Sequence, residues 1–221
     1  LPQTVYKTQT ITPIDGDISL YSFEECIKDK KKHATNFKHI EEESNKYHAS
    51  RMIQQTEDSL IVVNPPYPVM TTEELDYSFD LPYTRLPHPK YKNKHIPAYE
   101  MIKFSINLHR GCFGGCAFCT ISAHQGKFIV SRSPQNILKE AKQLVQHPDF
   151  KGNISDLGGP SANMYQMKGM NEEICKKCKR PSCLHPKICP NLDINHGPLL
   201  NIYKKVEQVE GIKKIFIGSG V

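Results

Sequence analysis

No run of about eighteen apolar residues occurs in this 221-residue sequence, so no segment can span a bilayer as a helix. The opening LPQTVYKTQT lacks the charged-then-apolar layout of a secretion signal. It also lacks an initiating Met, and the final IFIGSGV reads as a buried strand cut at its end. We therefore expect the chain to be an excerpt of a longer protein. Global disorder is excluded by composition, because 38% hydrophobic and 24% charged residues suffice for a packed core. The length suits one large domain, or one domain with an extension. Cysteine, by contrast, is abundant. Eight of them without a secretion signal point to a reducing compartment, the cytoplasm, and to metal or redox chemistry rather than disulfides.

The net charge is +6. Its excess sits in local runs, KDKKK at 28 to 32 and KKCKR at 176 to 180, which read as solvated surface. A basic groove for nucleic acid is the other use of such charge. The aromatic-interleaved basic motif that would support it is missing.

Residues 1 to 20 are polar and turn-like (TPIDGD), and are expected to form a surface arm. From Phe23 to about Thr56 the apolar residues Phe23, Ile27, Ala34, Phe37, Ile40 and Tyr47 recur near a 3.6 period, which predicts one long packing helix. Ser22 can cap it, with Glu25 completing a capping box. LIVVNPP (60 to 66) predicts a short strand ended by prolines. The Pro- and Tyr-rich residues 65 to 99 predict a wrapping or linking loop.

At Ile102 the texture changes. IKFSINLH (102 to 109) predicts a strand, and KFIV (127 to 130) a shorter one. Ser133-Pro134 opens a helix with the apolar stripe Ile137, Leu138, Ala141, Leu144 and Val145. NISDLGG (153 to 159) is a second strand of the series, and Pro198 starts another helix that Gly211 ends. KKIFIGSG (213 to 220) is a third. This alternation predicts an α/β fold with a parallel sheet. In such sheets and barrels, sites gather at the carboxyl ends of the strands. The three strand ends here carry the cysteines, Gly158-Gly159-Pro160, and Gly218-Ser219-Gly220.

RGCFGGCAFCT (110 to 120) sets Cys112, Cys116 and Cys119 within eight positions. They are too close for a disulfide framework, and a fourth local ligand is missing. Thiolates select soft metals. A structural zinc site wants four closed ligands. A cubane cluster has four irons, each needing an outer ligand, so three cysteines leave one iron open. Gly114 and Gly115 let the backbone wrap tightly and admit positive φ. Reduced core thiols are the bland alternative, which the glycine-rich, polar surroundings disfavour. His109 and Arg110 flank the loop and read as positioning groups. His124 and Arg132 follow it, and Arg132 suits either an anionic ligand or an acidic neighbour.

Cys112-x3-Cys116-x2-Cys119, with Phe118 before the last cysteine, resembles the signature of the radical S-adenosylmethionine (SAM) superfamily. The likeness extends through NPP near 64, TEELDYSFDLPYTR, HRGCFGGCAFC, HQGKFIVSRS, GGPSANMY and RPSCLHPKICPNL to the YgiQ family, over most of residues 60 to 221. The resemblance implies a partial parallel (β/α) barrel truncated after about three strands. Residues 1 to 100 would be an N-terminal extension, and 101 to 221 the barrel part, with a cysteine-rich insertion at about 165 to 197. It implies a [4Fe–4S] cluster on Cys112, Cys116 and Cys119, with SAM on the open iron. An electron from a flavodoxin-like or ferredoxin-like donor would cleave SAM to methionine and a 5′-deoxyadenosyl radical, for hydrogen abstraction from an unknown substrate. Phe118 would lie by the adenine, and Gly158, Gly159 and Pro160 would face the SAM amino group. There Pro160 replaces the acid of the superfamily's Gly-Gly-Glu motif. Ser219 is a further candidate SAM contact. The alternative class is a non-catalytic iron–sulfur or electron-transfer protein.

A second set, Cys175, Cys178, Cys183 and Cys189, places four soft ligands within fifteen residues, with His185 and His196 near in sequence. Such a set can close round zinc or ligate a second iron–sulfur cluster, and its spacing matches no zinc-finger pattern. Lone Cys26 reads as a small packing residue.

Overall fold

The computed structural model describes residues 1–92, 94–160, 162–218 and 220. The chain divides into two compact units: Leu1–Val69 with Gly114–Phe118 and Gly169–Asn191, and Met70–Phe113 with Cys119–Lys168 and Leu192–Val221.

The first unit is built on a four-stranded sheet in the order β1-β4-β3-β2. Its strands are β1 (Val5–Thr8), β2 (Ile18–Leu20), β3 (Met52–Thr56) and β4 (Ser59–Val63). β3 and β4 form an antiparallel hairpin, β1 adds antiparallel to β4, and β2 runs parallel to β3. The expected surface arm at 1 to 20 does lie at the surface, but Val5–Thr8 and Ile18–Leu20 within it pair as strands. Its polar side chains misled the reading, because an edge strand is recruited by backbone pairing rather than by burial. The Arg51 guanidinium fixes the turn before β2, donating to Asp17 Oδ1 at 2.8 Å and to Thr12 O at 2.9 Å.

The single helix expected over 23 to 56 is two helices and a strand. α1 (Phe23–Lys28) carries the predicted capping box of Ser22 and Glu25. Asp29 then turns extended (φ −131°, ψ 106°), and its side chain caps α2 (Lys30–Ser44) by accepting from Lys31 N. Asx side chains compete for backbone donors in this way, and here that local bond outweighs continued helix. Nor does the helical stripe bury itself: Phe23, Ile27, Phe37 and Ile40 are exposed, and they line a groove of about 390 Å³ with Leu20, Cys26, His33, Asn36 and Gln54. A short helix α7 (Glu172–Lys176) also belongs to this unit.

The second unit opens with α3 (Thr72–Phe79) and α4 (Pro97–Ile102), inside the stretch expected to be irregular. A capping box of Thr71 and Glu74 starts α3, and that signal was available in the sequence. β5 (Ser105–Asn107) pairs in parallel with β9 (Asp156–Gly158), so that Asn107 faces Gly158. Just upstream, β8 (Asn153–Ile154) pairs in parallel with β10 (Lys214–Ile215). The segment 153–158 therefore lies between the other two strands. Helices α6 (Pro134–Val145) and α8 (Gly197–Glu207) make the crossovers, as predicted. β6 (His109–Arg110) and β7 (Val130–Ser131) pair antiparallel, and α5 (Ile121–Gln125) lies between them in sequence.

The predicted stripes form the core. Ile137, Ala141 and Leu144 of α6 and Leu199, Ile202 and Val206 of α8 pack with Ile106, Leu108, Ile154 and Leu157 of the strands. Each Val, Leu or Ile side chain among them contributes about 1.5–3 kcal/mol when fully buried. The parallel strand–helix series is as expected, but the described strands make small sheets and no closed barrel.

Two buried polar groups brace this unit. Arg132, 1% exposed, donates from Nη1 to Asn107 O (2.8 Å) and to Glu140, and from Nε to Asn136 Oδ1 (2.7 Å). Its guanidinium also lies 4.0 Å from the centroid of the Phe79 ring. Burial lowers its pKa to about 10, so it stays cationic at neutral pH. Glu140 also pairs with Arg85. His109 is fully buried, and its Nε2 accepts from Met164 N at 3.0 Å. Burial pulls its pKa down to about 4, so the ring is neutral at pH 7.

Two outcomes are expected. Glu140→Gln leaves two guanidinium charges without their shared carboxylate, and should cost about 3 kcal/mol or more in urea unfolding. For His109 the unfolded ring binds its proton near pH 6.5, well before the folded ring does at about pH 4. Its neutral burial is therefore unopposed above pH 6.5, and stability falls as pH drops from there toward 4. Between pH 7 and pH 5 the loss should be about 2 kcal/mol, and His109→Gln should flatten that slope.

Candidate functional site

The three-cysteine loop begins where β5 ends. Leu108 N donates to Gly158 O at 2.9 Å, which continues the parallel pairing one step beyond the strand. Gly111 follows with φ +90°, and a Cβ there would lie 2.3 Å from Phe128 O. Only glycine lets the chain pass so close. Cys112 N then donates to Gly126 O at 3.0 Å, and Gly111 N to Gln125 Oε1 at 3.3 Å. The loop thus leaves and returns at one place, closed at its base within the second unit.

The three thiols sit differently. Cys112 is buried at the base, Cys119 is half-buried ahead of α5, and Cys116 is exposed in the first unit. Phe118, also of the first unit, is 91% exposed. Among the described residues, no three His, Cys, Asp or Glu side chains gather as a group able to hold a metal ion.

At the end of β9, Gly158 and Gly159 are buried and Pro160 is half-buried. Gly159 N donates to Asn163 Oδ1 at 2.8 Å. A Cβ on Gly159 would lie 2.1 Å from His109 Nε2. The packing of His109 therefore requires this glycine by itself, with no ligand invoked. Ser219 lies outside the described residues. Its neighbour Gly218 donates its N–H to Asp156 Oδ1 at 2.8 Å, tying the third strand end to β9.

The flanking polar residues resolve as follows. Arg132 meets an acidic neighbour, Glu140; it also donates to Asn107 O and Asn136 Oδ1 and lies over the Phe79 ring. His109 positions backbone, but at Met164, after the second strand end, rather than in the cysteine loop. Arg110 and His124 are exposed. His196 lies just ahead of α8, and its Nδ1 is buried without a hydrogen-bond partner among the described residues.

In the second cysteine group all four thiols are half-buried in the first unit. Cys175 Sγ accepts from Asn191 Nδ2 at 3.3 Å. A turn brings Cys178 N to Cys175 O at 3.0 Å, and a second closure brings Cys189 N to Cys183 O at 2.7 Å. Among the described residues, these four thiols likewise form no group able to hold a metal ion.

Sequence reasoning missed several residues. Lys127 is buried, with Nζ 5.3 Å from the centroid of the Phe128 ring. Tyr165 is buried, donates its hydroxyl to Arg132 O at 2.9 Å, and is pushed up to about 12 by burial. Asp156 had a signal, a carboxylate between the apolar Ile154 and Leu157 of a strand. Ser182 had none.

Comparison with known proteins completes the picture. A family model described as Radical SAM N-terminal matches residues 1–105. A UPF0313 protein of Bacteroides thetaiotaomicron is 70% identical over 223 residues, covering 100% of this chain and 36% of that protein. One of Porphyromonas gingivalis is 60% identical over 98% of this chain and 34% of the relative. The UPF0313 protein YgiQ of Escherichia coli K12 is 46% identical over 92% of this chain and 28% of the relative. The chain thus spans about a third of the length of the curated relatives it matches. With the family model on its N-terminal part and these relatives along its whole length, the chain belongs to the YgiQ (UPF0313) family of the radical SAM superfamily.

Proposed function

We propose that the protein is a radical SAM enzyme whose [4Fe–4S] cluster is held by Cys112, Cys116 and Cys119. The observation that carries this reading is the glycine-closed loop at the carboxyl end of the first parallel strand, with Cys112 buried at its base. The donor chemistry fits: three thiols on a loop hinged at Gly111 (φ +90°) and Gly115 (φ +59°), able to wrap one object. When bound and reduced, the cluster supplies the electron that splits SAM into methionine and a 5′-deoxyadenosyl radical, which takes hydrogen from the substrate.

The chain's own residues bind and orient. The three cysteines bind as thiolates, and the loop amides offer hydrogen bonds to sulfide. Gly158 and Gly159 present backbone to the SAM amino group, because Pro160 offers no carboxylate there. Gly158 O already accepts from Leu108 N, which leaves one lone pair for a ligand. Phe118 supplies an aromatic face for adenine, and Ser219 a hydroxyl. Arg132 takes no part in ligand binding in this scheme.

The wider reading follows the family. Residues 101 to 221 form the first part of a (β/α) barrel that other parts of a longer chain complete, and residues 1 to 100 form its extension. Cys175, Cys178, Cys183 and Cys189 supply the donors of a second soft-metal site, zinc or iron–sulfur. The protein works in the cytoplasm with a flavodoxin-like or ferredoxin-like electron donor. One observation favours a second reading, a cluster protein that does not cleave SAM: the missing acid at Pro160.

The test uses the full-length protein, reconstituted anaerobically, with dithionite and SAM. Release of 5′-deoxyadenosine is expected, and Cys116→Ala should abolish both cluster and cleavage. A cluster that forms while SAM neither alters its EPR signal nor is cleaved would establish the second reading.

A further inference from the structure

The cysteine-rich stretch does more than collect thiols. Within the first unit it packs against residues 114–118 of the three-cysteine loop. Ser182, only 3% exposed, donates its hydroxyl to Gly114 O at 2.6 Å. Ser182 Oγ in turn accepts from Leu184 N at 3.0 Å and from His185 N at 2.9 Å. One donor and two lone pairs are the whole capacity of a hydroxyl, so Ser182 is fully used and its rotamer is set.

The next residue of the loop is held by shape. Gly115 has φ +59°, and a Cβ there would come 2.4 Å from Pro181 O and 2.9 Å from Ser182 Cβ. The turn that presents Ser182 is itself braced. Arg180 Nη2 donates to His185 O and Lys187 O, each at 3.0 Å. Cys116 follows Gly115 directly, and it is the exposed member of the three.

We propose that Ser182 is a positioning residue for Cys116. Its bond to Gly114 O and the Pro181–Gly115 contact fix the backbone that presents this thiolate, so the loop is ordered before a cluster arrives rather than by it. The proposal rests on the reading of Cys116 as a cluster ligand. It assigns the 180–187 turn a task that holds whether or not the four cysteines around it bind metal.

The test uses full-length protein loaded anaerobically with ferrous iron and sulfide. Wild type, Ser182→Ala, Gly115→Ala and Asp29→Ala are compared. Asp29 caps α2 in the same unit through Lys31 N, apart in sequence from both cysteine groups. The readouts are the rate of iron loss to a chelator, the EPR signal of the reduced cluster, and the melting temperature. Ser182→Ala and Gly115→Ala should each lose cluster iron about tenfold faster, with an altered EPR signal. Asp29→Ala should lower the melting temperature while leaving both cluster readouts as in wild type.

Iron loss within twofold of wild type in both loop variants would overturn the proposal. So would equal acceleration in Asp29→Ala, which would mean general loosening. Either loop variant suffices if circular dichroism shows that the other does not fold. A wild-type protein that takes up no [4Fe–4S] cluster would remove the underlying reading instead, before any variant is compared.

Discussion

Arg132 sits where strand, helix and neighbouring helix meet, and its guanidinium is almost wholly out of water. It donates to the carbonyl of Asn107 at the end of β5, to Asn136 and Glu140 on α6, and it stacks on Phe79 of α3. Its own carbonyl accepts from the Tyr165 hydroxyl. A buried cation tolerates this only when its donors are matched, and Arg, with a rigid fork and a flat face, is suited to the task. The end of β5 is thereby held just before the chain turns into the cysteine loop. The base of the loop, from Leu108 to Cys112, starts from that fixed point.

A second constraint is the fit of glycine to its neighbours. Gly111 lets the loop close against Phe128, and Gly159 lets His109 lie under the end of β9. His109 in turn orders the backbone at Met164. The first and second strand ends are thus coupled through one neutral imidazole. This arrangement gives Gly159 a packing reason to be glycine, beside the approach of SAM proposed for it. The two explanations are compatible, because a backbone freed of side chain is also a backbone that a ligand can approach.

Much of the second unit was legible from local signals. Ser133-Pro134 marked the start of α6, its apolar stripe marked the buried face, and Gly211 (φ +91°) marked the turn after α8. These features act within one or two turns of chain, so sequence order carries them. The first unit was read less well. Asp29 broke a periodicity that looked continuous, and β1 was recruited by pairing with β4, some 55 residues away. Backbone pairing at that separation leaves little trace in composition.

The candidate site shows the same division. The sequence by itself determined which residues have the chemistry: three thiols at iron–sulfur spacing, glycines at the strand ends, and four further thiols downstream. Spacing and residue type are properties of the chain, and they survive without a fold. Only the tertiary structure decided how those residues are used. It showed that Arg132 is spent on Glu140, that Gly159 is shaped for His109, and that Ser182, 68 residues from Gly114, holds the loop. Such contacts form when distant segments bury the same polar atoms together, and no local pattern encodes that meeting.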